Sequence, residues 1–283
     1  MELFRIIKAD AKRALHFCGG RTVASFLVVA LALLTFGIAE TTLHLIFSGE
    51  EILYYDLLTL LKKFPESVFV TAGITFLRLF TLPALLLGLV KLFLSFAEGN
   101  DESISMIFDM FSSFKKFIGS AFFAIAFTVR YAFVFVIALL PGGAFFWFSK
   151  TFIPGGTRTA EIFKISAVFI SICIMTLCVF LAIIFIQRWS LAPYYRASGK
   201  GVHKSFSLSA KATKGLCTSI LSFKVSFIWW GFLSILVLPL LWSIPYYCIS
   251  NAIYAKYLME RYERSLAEVP ESVSPEFTFQ ETD

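Results

Sequence analysis

Apolar residues in this chain gather into long unbroken runs, and polar positions collect in short stretches between them. Runs at about 22–39, 68–95, 118–148, 162–187, 220–242 and 245–259 reach or approach the ~20 residues that span ~30 Å of hydrocarbon. The pattern predicts an all-α, polytopic membrane protein with six transmembrane helices. Pro83 predicts a kink in the second span, and Ser243-Ile244-Pro245 predicts the turn between the last two. The run from Val23 to Ala39 is too long for a signal-peptide core and reads as a retained first span.

Between the spans the periodicity changes. Residues 2–18, 103–117 and 202–217 repeat apolar positions at helical spacing with polar residues opposite. In the first, Arg5, Lys8, Lys12 and Arg13 share one face and Leu3, Phe4, Ile7 and Ala11 the other. In the third, Lys200, Lys204, Lys211 and Lys214 fall within a ~100° arc opposite Val202, Phe206, Thr213 and Leu216. Each reads as an amphipathic helix lying on the cytoplasmic membrane surface. Each also reaches a glycine (Gly20, Gly119, Gly215) before the chain enters the bilayer, and these glycines are spaced by about 100 residues. That spacing suggests a threefold parallel repeat about the membrane normal.

Ser48 with Glu51 forms a capping-box pattern that predicts a short outer helix to about Lys63. Residues 1–259 then make one integral membrane domain. Residues 260–283, acidic and with two prolines, read as a disordered tail.

Charge orients the spans. No acidic residue occurs between Glu161 and Glu260, whereas Arg188, Arg196, Lys200, Lys204, Lys211, Lys214 and Lys224 sit between two apolar runs. A cationic loop of this kind stays on the cytoplasmic side, and the other Lys/Arg-rich segments then place both termini there. The net charge of +6 would suggest nucleic acid in a soluble protein. Here the cations flank apolar spans, so membrane lipids, anionic ones first, are the partners implied and nucleic acid is not.

Composition agrees: the chain is 58% hydrophobic and 16% charged, against ~25% charged in soluble domains. Its 34 Phe are accounted for by lipid contact and helix packing, and its 5 scattered Cys form no disulfide framework or Cys-x-x-Cys pair.

The search for catalytic groups finds little. His16, His44 and His203 have no metal-ligand spacing, no Asp lies within a span, and no nucleophile elbow or phosphate-binding loop occurs. No cofactor is implied. Two cations lie within spans: Arg78 and Arg130, each roughly 15–18 Å deep by residue count from opposite sides. Glu40 should sit at the outer interface, about 10 Å above Arg78. Arg78, Arg130 and Glu40 form either a midplane site for an anionic headgroup or solute, or a structural set that snorkels and bonds freed carbonyls. Arg188, Arg196, Lys200, Lys204, Lys211 and Lys214 form either a topology determinant or an anionic-lipid face.

The cationic loop and the last third of the chain carry a family resemblance. The residues are Leu191-Ala192-Pro193-Tyr194-Tyr195, Ser207-Leu208-Ser209-Ala210 leading to Lys214-Gly215, and Ser226-Phe227-Ile228-Trp229-Trp230-Gly231. Leu221-Ser222-Phe223, Leu241-Trp242, Pro245-Tyr246-Tyr247, Ala252, Tyr254 and Tyr257-Leu258 complete the set. In these the chain resembles a family of bacterial integral membrane proteins known as domain of unknown function 975. It departs from that family in lacking acids around the Ser-Ala segment and in a shortened turn before Trp242. The resemblance implies a polytopic helical protein of a bacterial cell membrane. The leading expectation is a non-enzymatic accessory, membrane-organising or lipid-associated protein. The alternative is a small-solute or lipid permease with a midplane arginine site.

Overall fold

A computed structural model describes residues 2–48, 65–152, 158–233 and 237–268, and among them every regular element is helical. The order is α1 (Glu2–Ser48), α2 (Pro65–Glu98), a 3-10 helix (Ile104–Phe111), α3 (Phe114–Phe152), α4 (Arg158–Ile186) and a 3-10 turn (Gln187–Trp189). Then come α5 (Ala192–Ala197), α6 (Val202–Ala212), α7 (Cys217–Val225), α8 (Ile228–Leu233) and α9 (Val237–Ala267).

Helices α1 to α4 are each long and apolar enough to cross a membrane. A fifth candidate is the bent pair 202–212 and 217–232, whose arms meet at 91°. In the most apolar window of α2 56% of the residues are buried, against 6% in that of α3. Helix α2 is therefore the central post, and α3 presents its apolar surface outward, where hydrocarbon would cover it.

The tightest packing lies at one end of the molecule. Leu92 and Phe93 of α2 meet Ile7 and Ala11 of α1, Phe223 of α7 and Ile249 of α9 in one core. Each large side chain among them contributes ~1.5–3 kcal/mol relative to contact with water. The other halves of the long helices carry exposed apolar side chains such as Leu34, Phe69, Phe133 and Phe169.

Around the core, the amphipathic segments form a collar and turn their apolar faces onto protein rather than onto lipid. Phe4 packs edge-on against Phe223 with ring centroids 5.2 Å apart, and Phe206 of α6 stacks on Phe123 of α3 at 5.2 Å. Ile107 is fully buried because Gly88 of α2 lets its backbone approach: a Cβ added there would overlap the Ile107 carbonyl. A helical period states that one face is apolar, and either lipid or protein can satisfy it.

Several boundaries differ from the sequence expectation. Residues 2–18 and 22–39 are not separate helices; α1 runs straight through Gly19 and Gly20. A glycine costs a helix only ~1 kcal/mol relative to alanine, too little to break one anchored on both sides. The segment 103–117 is not one amphipathic α-helix but a 3-10 helix, a break at Ser112–Ser113, and the first turn of α3. Gly215, at φ +77°, does break the chain between α6 and α7, because that left-handed conformation is one glycine adopts without strain.

The stretch predicted as the fifth span is split into α7, α8 and the start of α9. Lys8 Nζ donates to the Ser226 carbonyl at 3.2 Å, a partner for the end of α7. No turn forms at Ser243–Pro245: α9 continues through Pro245, which removes one backbone donor but leaves the remaining helix bonds intact. The same helix extends to Ala267, into the segment expected to be disordered from residue 260, with Glu260 pairing to Lys256 and Arg264. The helix expected over 48–63 lies outside the described residues, as does the tail from residue 269.

Candidate functional site

Helix α6 is two-faced in a way that fixes its cations. Ser205, Phe206, Ser209 and Ala212 are buried, while Lys204 and Lys211 are exposed, as are Lys200 and Lys214 at either end. The buried face is held by polar bonds as well as packing. Ser209 Oγ donates to the Arg188 carbonyl at 2.8 Å and Thr213 Oγ1 reaches the same oxygen at 3.1 Å. A helix pinned in this way cannot roll, so its lysines point outward. Among the described residues none of these four lysines makes an ion pair.

The six cations of the predicted lipid face do not stay together. Arg196 folds back onto the bundle against Gly119 and donates to the Lys200 carbonyl at 3.0 Å. Arg188 is exposed at the end of α4, its guanidinium 5.2 Å from the Phe185 ring centroid. Lys224, in the same acid-free stretch, is taken up by Gln187 Oε1 at 2.8 Å. The open cations of this segment are thus the four lysines; Arg5 and Lys12 on the N-terminal part of α1 are exposed as well.

On another side of the collar Asp109 accepts from Lys91 at 2.8 Å and from Lys116 at 3.1 Å, tying α2, the 3-10 helix and α3 together. The hydrogen bond from Lys91, opposed by burial and aided by Lys116, holds its carboxyl below the ordinary value of 3.8. A depressed folded pKa adds stability that is present above the unfolded value and disappears as pH falls through the folded one. Asp109→Asn is therefore expected to cost about 1–2 kcal/mol at pH 7. In unfolding experiments the gap between variant and parent should narrow as pH falls below 3.8 and through the depressed folded value.

The intramembrane cations separate. Arg78 of α2 pairs with Glu40 of α1 at 2.7 Å, closer than residue counting suggests, and lies 5.9 Å from the Phe36 ring centroid. Arg130 of α3 is elsewhere: it donates to the Ala126 carbonyl at 2.9 Å and sits 4.0 Å over the ring of Phe206. Since Phe206 belongs to α6, Arg130 is level with the collar. The depth count began at Ile118, but the first turns of α3 are covered by the collar: Phe123 packs with Ala192 and Phe206.

Sequence reasoning missed Asp109 as a hub, and it missed the groove that opens beside Arg130 between α3 and α4. A lysine near the end of an apolar span, Lys91, was the available signal for the first. Compared with known proteins, the chain matches no family model, no curated protein and no solved structure.

Proposed function

We propose that this is a non-enzymatic, lipid-associated membrane protein whose cytoplasmic collar gathers anionic headgroups. In this reading the chain crosses a bacterial cell membrane six times, keeps both termini in the cytoplasm, and repeats an interfacial element and two spans three times. The third unit is the most cationic. The observation that carries the reading is the exposed set of Lys204 and Lys211 on α6, with Lys200 and Lys214 just beyond its two ends, on a helix whose other face is buried and with no carboxylate in ion-pair range among the described residues. A cation close to an anionic leaflet contributes ~1 kcal/mol, and the fixed helix presents Lys204 and Lys211 with Lys200 and Lys214 beside its ends. A permease with a midplane arginine pair has less to support it, because Arg78 is neutralised by Glu40 and Arg130 belongs to another helix pair.

The test replaces all four lysines by Gln in the full chain and measures phosphatidylglycerol against phosphatidylcholine retained on purification. The expected result is a preference for the anionic lipid that falls by about tenfold or more in the variant. An unchanged preference in a folded variant would overturn the proposal.

A further inference from the structure

A groove of about 720 Å³ runs between α3 and α4, within the ~300–1,000 Å³ common for ligand sites. Its walls are single helical stripes: Val134, Ile137 and Ala138 on one side, Cys178, Ala182 and Phe185 on the other. At its far end the two helices close, where Ser171 Oγ donates to the Gly142 carbonyl at 2.6 Å and Gly142 leaves no room for a Cβ beside Met175. At its mouth the lining changes character to Arg130 and Trp189. Arg188 stands at the same end, its guanidinium over Phe185.

Length and charge together select an occupant. From Arg130 to Pro141 the groove follows α3 for 11 residues, about 16 Å at 1.5 Å per residue. That is roughly half of a ~30 Å hydrocarbon core, the depth of one leaflet. Of the five N–H donors on Arg130 one serves Ala126, and neither Arg130 nor Arg188 has a carboxylate in ion-pair range among the described residues. The remaining donors suit phosphate oxygens, which guanidinium groups bind with charge-assisted bonds. Trp189 beside them has the amphipathic character of residues that settle at headgroup level.

We infer that the groove holds one acyl chain of an anionic phospholipid of the collar-side leaflet, with its phosphate at Arg130 and Arg188. The inference rests on the lipid-associated reading but names a different place, a chain-binding slot rather than the lysine face of α6.

The test uses the full chain in liposomes containing phosphatidylglycerol with a diazirine midway along one chain. After illumination, adducts are mapped by peptide mass spectrometry. The expected result is labelling of 134–138 and 178–185 severalfold above Phe169, Ile170 and Ile172, which are on average more exposed than the groove walls. Val134→Trp should abolish that excess by filling the slot, and Arg130→Gln with Arg188→Gln should lower it by about tenfold. The α6 lysine-to-glutamine variant should leave it unchanged, so this slot and the collar can fail separately. Even labelling of all outward apolar stripes would overturn the inference. So would equal labelling from the phosphatidylcholine analogue, which would remove the role given to the two arginines.

Discussion

Gly88→Ala is expected to be the most damaging single-methyl change in the described structure. The added Cβ would fall on the carbonyl oxygen of Ile107, a backbone atom that cannot swing aside as a side-chain end would. Ile107 is wholly buried, and its 3-10 helix is also tethered through Asp109 to Lys91 and Lys116. Making room means lifting that helix from α2 and opening the core around Leu89 and Leu92. Overpacking of this kind costs about 1–3 kcal/mol and exceeds that when backbone must move; we place Gly88→Ala near 3 kcal/mol. Leu86→Ala, two residues away but half exposed, should change stability by under ~1 kcal/mol. Thermal unfolding of the detergent-solubilised variants measures both. A Gly88→Ala protein as stable as the parent would show that the 3-10 helix does not rest on α2.

The second large effect concerns Arg78 and Glu40. The pair joins α1 to α2, and both helices carry exposed apolar side chains, Leu33, Leu34, Ile38 and Leu77 among them, that hydrocarbon would cover. Removing one partner leaves the other charge without compensation in a low-dielectric setting, which costs about 3–5 kcal/mol. Arg78→Leu and Glu40→Leu should each destabilise by about that amount, while the double variant should recover most of it. A complete double-mutant cycle checks this. If the three variants were additive, the two residues would not act as a pair. The pairing also bears on function: an arginine neutralised from the neighbouring helix has little charge left to offer an anionic solute.

Much of the architecture was legible because membrane helices announce themselves by length and apolarity. The runs that became α1 to α4 needed no knowledge of contacts. What escaped depends on partners. The apolar positions Phe4, Ile7, Ile107 and Phe206 follow the helical period as expected, yet the period does not say that they meet Phe223, Gly88 and Phe123 instead of acyl chains. The contact of Arg130 with α6 was not foreseen for the same reason, since a residue count does not show that the collar covers the first turns of α3. Helix joints were misjudged from composition: Gly20 and Pro245 sit inside continuous helices, whereas Gly215 breaks one through a positive φ that no residue count reveals.

The cationic face was half legible. Lys204 and Lys211 lie on the exposed side of α6 as the wheel has them, held there by the burial of Phe206, Ser209 and Thr213, while Lys200 and Lys214 flank the helix. The loss of Arg196 to Gly119 and of Lys224 to Gln187 did not follow, because each depends on a residue distant in sequence.

The most direct measurement is the lipid composition around the wild-type protein, taken from the membrane in polymer nanodiscs without detergent. Anionic phospholipid should be enriched severalfold over the bulk membrane. A ratio equal to that of the bulk would contradict the account, because four exposed lysines without an ion pair among the described residues would then be attracting nothing.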